Sequence, residues 1–176
     1  MKNLVVFYSR KGSNRFLAAR IAQSLSCETV EIHPRINSFF LFLFNFNPGI
    51  WRIRKQLAEY DRVILVGPIW MGRFIPPLRS FVKRYGNQVR KLVFVTCCGS
   101  TYDKKDEKFG HGHVFRQVET LLDGKCEACQ AFPIGLVLPE EHREDSDAFM
   151  NTHLNEENFR GEVVQIYDRF IATLAG

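Results

Sequence analysis

Residues 62–85 read RVILVGPIWMGRFIPPLRSFVKRY, and three structural signals follow one another within them. Arg62–Val66 is a short, continuous, β-branched apolar run, the pattern of a strand covered on both faces. Gly67 to Gly72 interrupts it with two glycines and Pro68, the chemistry of a loop. Pro76 and Pro77 then suit the first turn of a helix, where a missing N–H costs nothing, and Leu78, Phe81, Val82 and Tyr85 recur at helical spacing. A buried strand that passes through a loop into an amphipathic helix is half of a β–α–β unit.

The same unit repeats outward in both directions. Upstream, Leu4–Tyr8 reads as a buried strand, residues 9–14 as a polar loop, and Phe16, Leu17, Ala18, Ile21, Ala22 and Leu25 as a helix; Thr29–Ile32 is a short second strand. Trp51, Ile53, Leu57 and Ala58 have helical spacing and predict a helix ending near Tyr60. Downstream, Lys91–Thr96 is a fourth strand and Val114–Leu122 a helix. Cys126–Leu138 is a fifth strand broken at Pro133, and Val163 to Leu174 make a closing helix. Five strands alternating with helices predict an α/β chain, a parallel sheet with helices on both faces. Right-handed crossovers make it a three-layer, doubly wound fold. Residues 1–176 are expected to form one domain. In such sheets ligands sit beyond the carboxyl ends of the strands, so the loops after strands one, three and four are the places to look.

Composition narrows the function classes. The chain is 45% hydrophobic and 24% charged, with 12 Gly and 7 Pro, which excludes a disordered tail, a collagen and a coiled coil. Five cysteines are too few for a disulfide scaffold and an odd number, so a reducing, cytoplasmic setting is expected. No signal peptide and no transmembrane segment is expected. The most apolar stretch, Ile36–Phe46, has eight apolar residues in eleven, five of them Phe, short of the ~18 a spanning helix needs. Packing on the sheet or burial in a homodimer is the expected fate of that stretch. The net charge of +5 is unevenly divided. Residues 1–95 carry 16 Lys and Arg against 4 Asp and Glu, and residues 96–176 carry 8 against 15. That split suits an anionic ligand, or simply two solvated surfaces of different sign. No basic run or reader motif points to nucleic acid.

The first loop is Ser9-Arg10-Lys11-Gly12-Ser13-Asn14. Hydroxyls, a glycine and free amides at a helix N-terminus make an anion cradle. Arg10, Lys11 and Arg15 add positive charge; an ordinary capped turn with Ser13 or Asn14 as N-cap is the alternative. Two better-known phosphate motifs fail. No G-x-G-x-x-G follows the first strand, and Arg73-Phe74 stands where a P-loop after Gly67 and Gly72 needs Lys-[Ser/Thr].

Taken together, Ser9-x-x-Gly12-x-Asn14, then Gly67-Pro68-Ile69-Trp70-Met71-Gly72 followed by prolines, then Thr96-Cys97-Cys98-Gly99-Ser100, resemble the flavodoxin-like family. The likeness covers almost the whole chain, and the second motif is its most specific part. It implies the strand order 2-1-3-4-5 and FMN as cofactor. Ser9 to Asn14 would hold the FMN phosphate, with Lys11 standing where the family carries a hydroxyl. Pro68, Ile69, Trp70, Met71 and Gly72, with Thr96, Cys97, Cys98 and Gly99, would clamp the isoalloxazine ring. Trp70 and Tyr102 are the aromatics placed to lie against it, although a loop aromatic such as Trp70 also serves to plug a sheet end. No catalytic side chain and no metal site is assigned.

The resemblance implies an electron-transfer protein passing electrons between a reductant and a protein or small-molecule acceptor. An NAD(P)H-dependent reductase of quinones or similar acceptors is the alternative, and a flavin-free interaction module a further one. Other residues have weaker claims. Cys126 and Cys129 lie three apart on an expected strand, which puts them on opposite faces as incidental cysteines. Cys97 and Cys98 are expected as free thiols, His111 and His113 as residues of a surface loop, and Glu140–Asp147 as a solvated acidic stretch.

Overall fold

The computed structural model describes residues 1–36, 47–143 and 145–175. Five strands form one parallel sheet: β1 (Asn3–Phe7), β2 (Glu28–Glu31), β3 (Arg62–Val66), β6 (Leu92–Cys98) and β7 (Cys126–Pro133), in the order β2-β1-β3-β6-β7. The numbering is interrupted by a small antiparallel hairpin, β4 (Ile69–Trp70) and β5 (Arg73–Phe74), inside the loop after β3. Counting the sheet strands alone, the order is the expected 2-1-3-4-5.

The three central strands are buried throughout, and apolar except at Asn3, Arg62 and Thr96, because each face has its own cover. Leu4 and Val6 of β1, Val63 and Leu65 of β3, and Leu92 and Phe94 of β6 share one core. They pack there with helices α2 (Pro76–Tyr85) and α3 (His111–Leu122). The alternate residues Val5, Phe7, Ile64, Val66, Val93 and Val95 form the other core. That side is covered by α1 (Ser13–Ser24) and α5 (Glu162–Ala175), and the short helix α4 (Ser146–Asn151) precedes α5. Pro76 and Pro77 occupy the first turn of α2, as their spacing predicts. Burying both faces of a pleated strand in this way is what turns alternation into a continuous apolar run.

Four expectations need correction. Trp51–Tyr60 is not a helix; only Leu57–Glu59 make a 3-10 turn. Ile50, Ile53, Leu57 and Tyr60 are buried at helix-like spacing, but the backbone there takes tertiary partners. Trp51 N donates to His33 O (2.9 Å), Ile53 N to the Tyr85 hydroxyl (2.9 Å), and Ile50 O accepts from Arg84 Nη1 (3.2 Å). A segment whose amides and carbonyls are bonded elsewhere has no ladder to close into helix. The fifth strand stops at Pro133 and gives way to a 3-10 turn, Ile134–Val137. Helix α3 starts three residues early, at His111. A bulge in β7 changes the phase of Cys126 relative to Cys129. Most of the Phe-rich stretch, residues 37–46, lies outside the described residues, and Glu144 with it. No helix among the described residues is long and apolar enough to cross a membrane.

Candidate functional site

Parallel strands place their C-terminal loops together, and three hydrogen bonds fix the register at that end. Tyr8 N donates to Val66 O (2.9 Å), Gly67 N to Val95 O (3.0 Å), and Cys97 N to the side-chain oxygen of Asn14 (2.9 Å). Asn14 is buried, so within the first loop it fastens α1 to the end of β6.

The rest of the first loop is a shelf in front of α1. Gly12 N donates to Ser9 Oγ (3.1 Å), and Gly12 adopts φ +105° and ψ −38°, a conformation open in practice only to glycine. Helix α1 has no side-chain cap at Gly12. Its first backbone amides have no partner within the helix, and they carry the positive end of the helix dipole. A methyl group placed on Gly12 would meet nothing within 4 Å. Lys11 Nζ donates to Met150 O (2.7 Å) and Ser13 Oγ accepts from Leu154 N (3.1 Å), so the shelf is tied to the segment before α5. Open space, glycine geometry, amides without a partner inside the helix and nearby cations together fit a phosphate group.

The second loop is a hairpin made by its turn. Met71 and Gly72 have φ +48° and +65°, the two left-handed central residues of a I′ turn. Met71 is 64% exposed, Trp70 is half-buried, and Arg10 of the first loop lies over the Trp70 ring at 5.8 Å. Gly67 gives α2 room: a Cβ there would sit 2.8 Å from the Leu78 methyls. Gly72 does the same for the third loop, where Lys108 O and Phe109 Cα would each be 2.9 Å from an added Cβ.

The end of β6 and the first residues of the third loop contribute uncharged groups. Thr96 is fully buried, its hydroxyl donating to Cys97 O (3.3 Å), and the Cys97 thiol is pushed up by burial. Burial likewise pushes Cys98 up to about 12, so its thiol stays protonated. Gly99 is exposed, and a Cβ on it would meet nothing within 4 Å. The Tyr102 hydroxyl donates to Ala131 O (2.6 Å) and is pushed up to about 12, by burial first and Cys98 second. Its ring, 38% exposed, meets His111 edge-on at 5.8 Å.

The histidine is the residue that spacing misplaced. His111 is 2% exposed and heads α3. Its N–H donates to Ser100 Oγ (3.2 Å), and Ser100 Oγ lies 2.8 Å from His111 Nδ1. Burial, with Lys105 behind it, lowers the His111 pKa and keeps the ring neutral. Cys98 Sγ stands 3.8 Å from Nδ1 and 3.6 Å from Ser100 Oγ. His113 is separate, accepting from Arg116 (2.9 Å). The signal for His111 was present: Gly110-His111 stands one turn ahead of the apolar spacing that begins at Val114.

Ser9, Gly12, Pro68 to Met71, Gly99 and Tyr102 thus reach the open end of the sheet, while Asn14, Thr96 and Cys97 lie beneath it as support. The model of the flavodoxin domain matches residues 50–156. The chain belongs to the flavodoxin domain family. The matched span includes the second and third loops and begins downstream of the first, whose assignment therefore rests on its geometry. Among solved structures, this flavodoxin-domain chain is similar to a flavoprotein from Lactobacillus acidophilus NCFM determined in complex with FMN. The two share 16% identity at a TM-score of 0.62, over 74% of this chain and 92% of that one. The Streptococcus pneumoniae TIGR4 flavodoxin matches over 99% of this chain and 98% of its own, with 12% identity and a TM-score of 0.53. At such identities the likeness is one of fold. No curated protein matches the chain in sequence.

Proposed function

We propose that this flavodoxin-domain chain binds FMN and passes electrons between a reductant and a protein or small-molecule acceptor, acting over residues 1–176 as one cytoplasmic domain. The observation that carries the reading is the open glycine shelf at Gly12 beside the Trp70 hairpin and the Gly99–Tyr102 wall. The first-turn amides of α1, with Ser9 and Lys11, would hold the phosphate. Trp70 and Tyr102 would border the ring, and backbone groups of residues 69–72 and 98–99 would meet its polar edge. When bound, FMN supplies the redox chemistry; the protein supplies position and electrostatics. Here the electrostatics include a protonated Cys98, a neutral His111 and a protonated Tyr102.

The test is an FMN titration of purified protein, followed by flavin absorbance, and then NAD(P)H oxidation with and without a partner reductase. FMN binding with oxidation only in the presence of the reductase is the expected result. Oxidation of NAD(P)H with a quinone alone would replace the carrier by a reductase. Absence of FMN binding would sink both and leave an interaction module.

A further inference from the structure

Two cysteines meet on β7, away from the C-terminal end of the sheet. On a regular strand, residues three apart point to opposite faces. In β7, however, Cys126 pairs with Leu92 and Ala128 with the next residue, Val93, so Glu127 is an extra residue and Cys129 pairs with Phe94. The bulge returns Cys126 and Cys129 to one face, that of Leu92 and Phe94 beneath α3. Their Sγ atoms are 3.6 Å apart. Their partners are two residues apart, roughly 6.6 Å at about 3.3 Å per residue. That lies inside the range of about 4.4–6.8 Å between Cα atoms across a disulfide.

The bulge is anchored. Glu127 takes two hydrogen bonds from Arg62, at 2.7 and 2.6 Å, and Arg62, 2% exposed, also donates to Leu174 O of α5 (2.6 Å). The extra residue is therefore drawn toward α5 while both thiols remain on the α3 side. Both cysteines are half-buried on an edge strand. Among the described residues no cluster of three or more side chains that could hold a metal ion is present.

We propose that Cys126 and Cys129 form a reversible dithiol–disulfide site oxidised by a low-molecular-weight disulfide. Cys126 gives its proton to solvent and attacks one sulfur of the disulfide, forming a mixed disulfide and expelling a thiolate that takes up a proton. Cys129 then loses its proton and attacks Cys126 Sγ, expelling the second thiol. In total, one dithiol and one disulfide become one internal disulfide and two small thiols. Cys126 suits the first step, because the hydrogen bond from Cys129 lowers its pKa, while that same bond, and then burial, raises Cys129. The pair sits in the first half of β7, with Cys126 about 20 Å and Cys129 about 13 Å along the sheet from its C-terminal end at ~3.3 Å per residue.

The test is to equilibrate the whole protein in glutathione buffers from fully reduced to fully oxidised. Alkylation under denaturing conditions and peptide mapping then locate the free thiols. The expected product is a 126–129 cross-link, lighter by two hydrogens and reversed by reduced glutathione, with Cys27, Cys97 and Cys98 still alkylated. Cys129→Ser should stop at a mixed disulfide on Cys126. Thiols at 126 and 129 that stay free in every buffer, or that each take up glutathione without cross-linking, would overturn the proposal.

Discussion

Substituting Gly12 by Ala separates what the first loop does for the fold from what it does for a ligand. At φ +105° and ψ −38° an alanine is strained. Holding a non-glycine residue in such a region costs on the order of 1–3 kcal/mol. No clash adds to this, since the new Cβ meets nothing within 4 Å. A strain of about 2 kcal/mol in a domain of this size lowers Tm by roughly 4–8 °C. The ligand effect comes from elsewhere. The methyl group stands in the space before the first amides of α1, where a phosphate would have to approach. Losing one hydrogen bond to a charged group costs about 1.5–3 kcal/mol, roughly ten- to hundred-fold in affinity. Riboflavin, which lacks the phosphate, should lose far less. The assay is a thermal melt of ligand-free protein alongside fluorescence titrations of native and variant protein with FMN and riboflavin. Equal loss of affinity for the two flavins would refute the phosphate shelf, whatever happens to Tm.

Trp70→Ala should weaken FMN and riboflavin by the same factor, several-fold or more, because stacking of about 0.5–1.5 kcal/mol beyond area burial concerns the ring alone; a loss confined to FMN in the titrations would contradict this. Glu127→Ala leaves the buried Arg62 guanidinium without its carboxylate and should cost about 3 kcal/mol in denaturant unfolding. A change under about 1 kcal/mol would mean the pair is solvated. His111 is held neutral below its unfolded pKa of about 6.5, so its share of stability is complete above that pH. That share is lost as the pH falls below it, because the unfolded chain takes up a proton the folded chain refuses. His111→Gln should flatten the stability curve below about pH 6.5, and an unchanged slope would place the titration on another group.

The sheet was legible because its cause is written locally. The central strands are apolar at nearly every position, and Pro76-Pro77 announces its own helix. The three loops followed from the strands. What was not legible depends on partners far along the chain. The spacing of Ile53 and Leu57 is helical, but Tyr85 and His33 take up the backbone that a helix would need. His111 read as a loop residue because Ser100, its partner, is eleven positions away. Cys126 and Cys129 read as strangers because a bulge, held by Arg62 from another strand, shifts the alternation by one.

The outer strands have a further consequence, for contact between copies of the molecule. An edge strand offers a row of backbone donors and acceptors that another chain can pair with. Here β2 is four residues long and carries Glu28 and Glu31, each ion-paired, to Lys55 and to Arg15. At the opposite edge the Glu127 bulge breaks the regular run of β7. Short length, charge and a bulge are features that keep sheets from growing. A crowded solution of this protein should therefore resist strand-by-strand stacking into a continuous sheet.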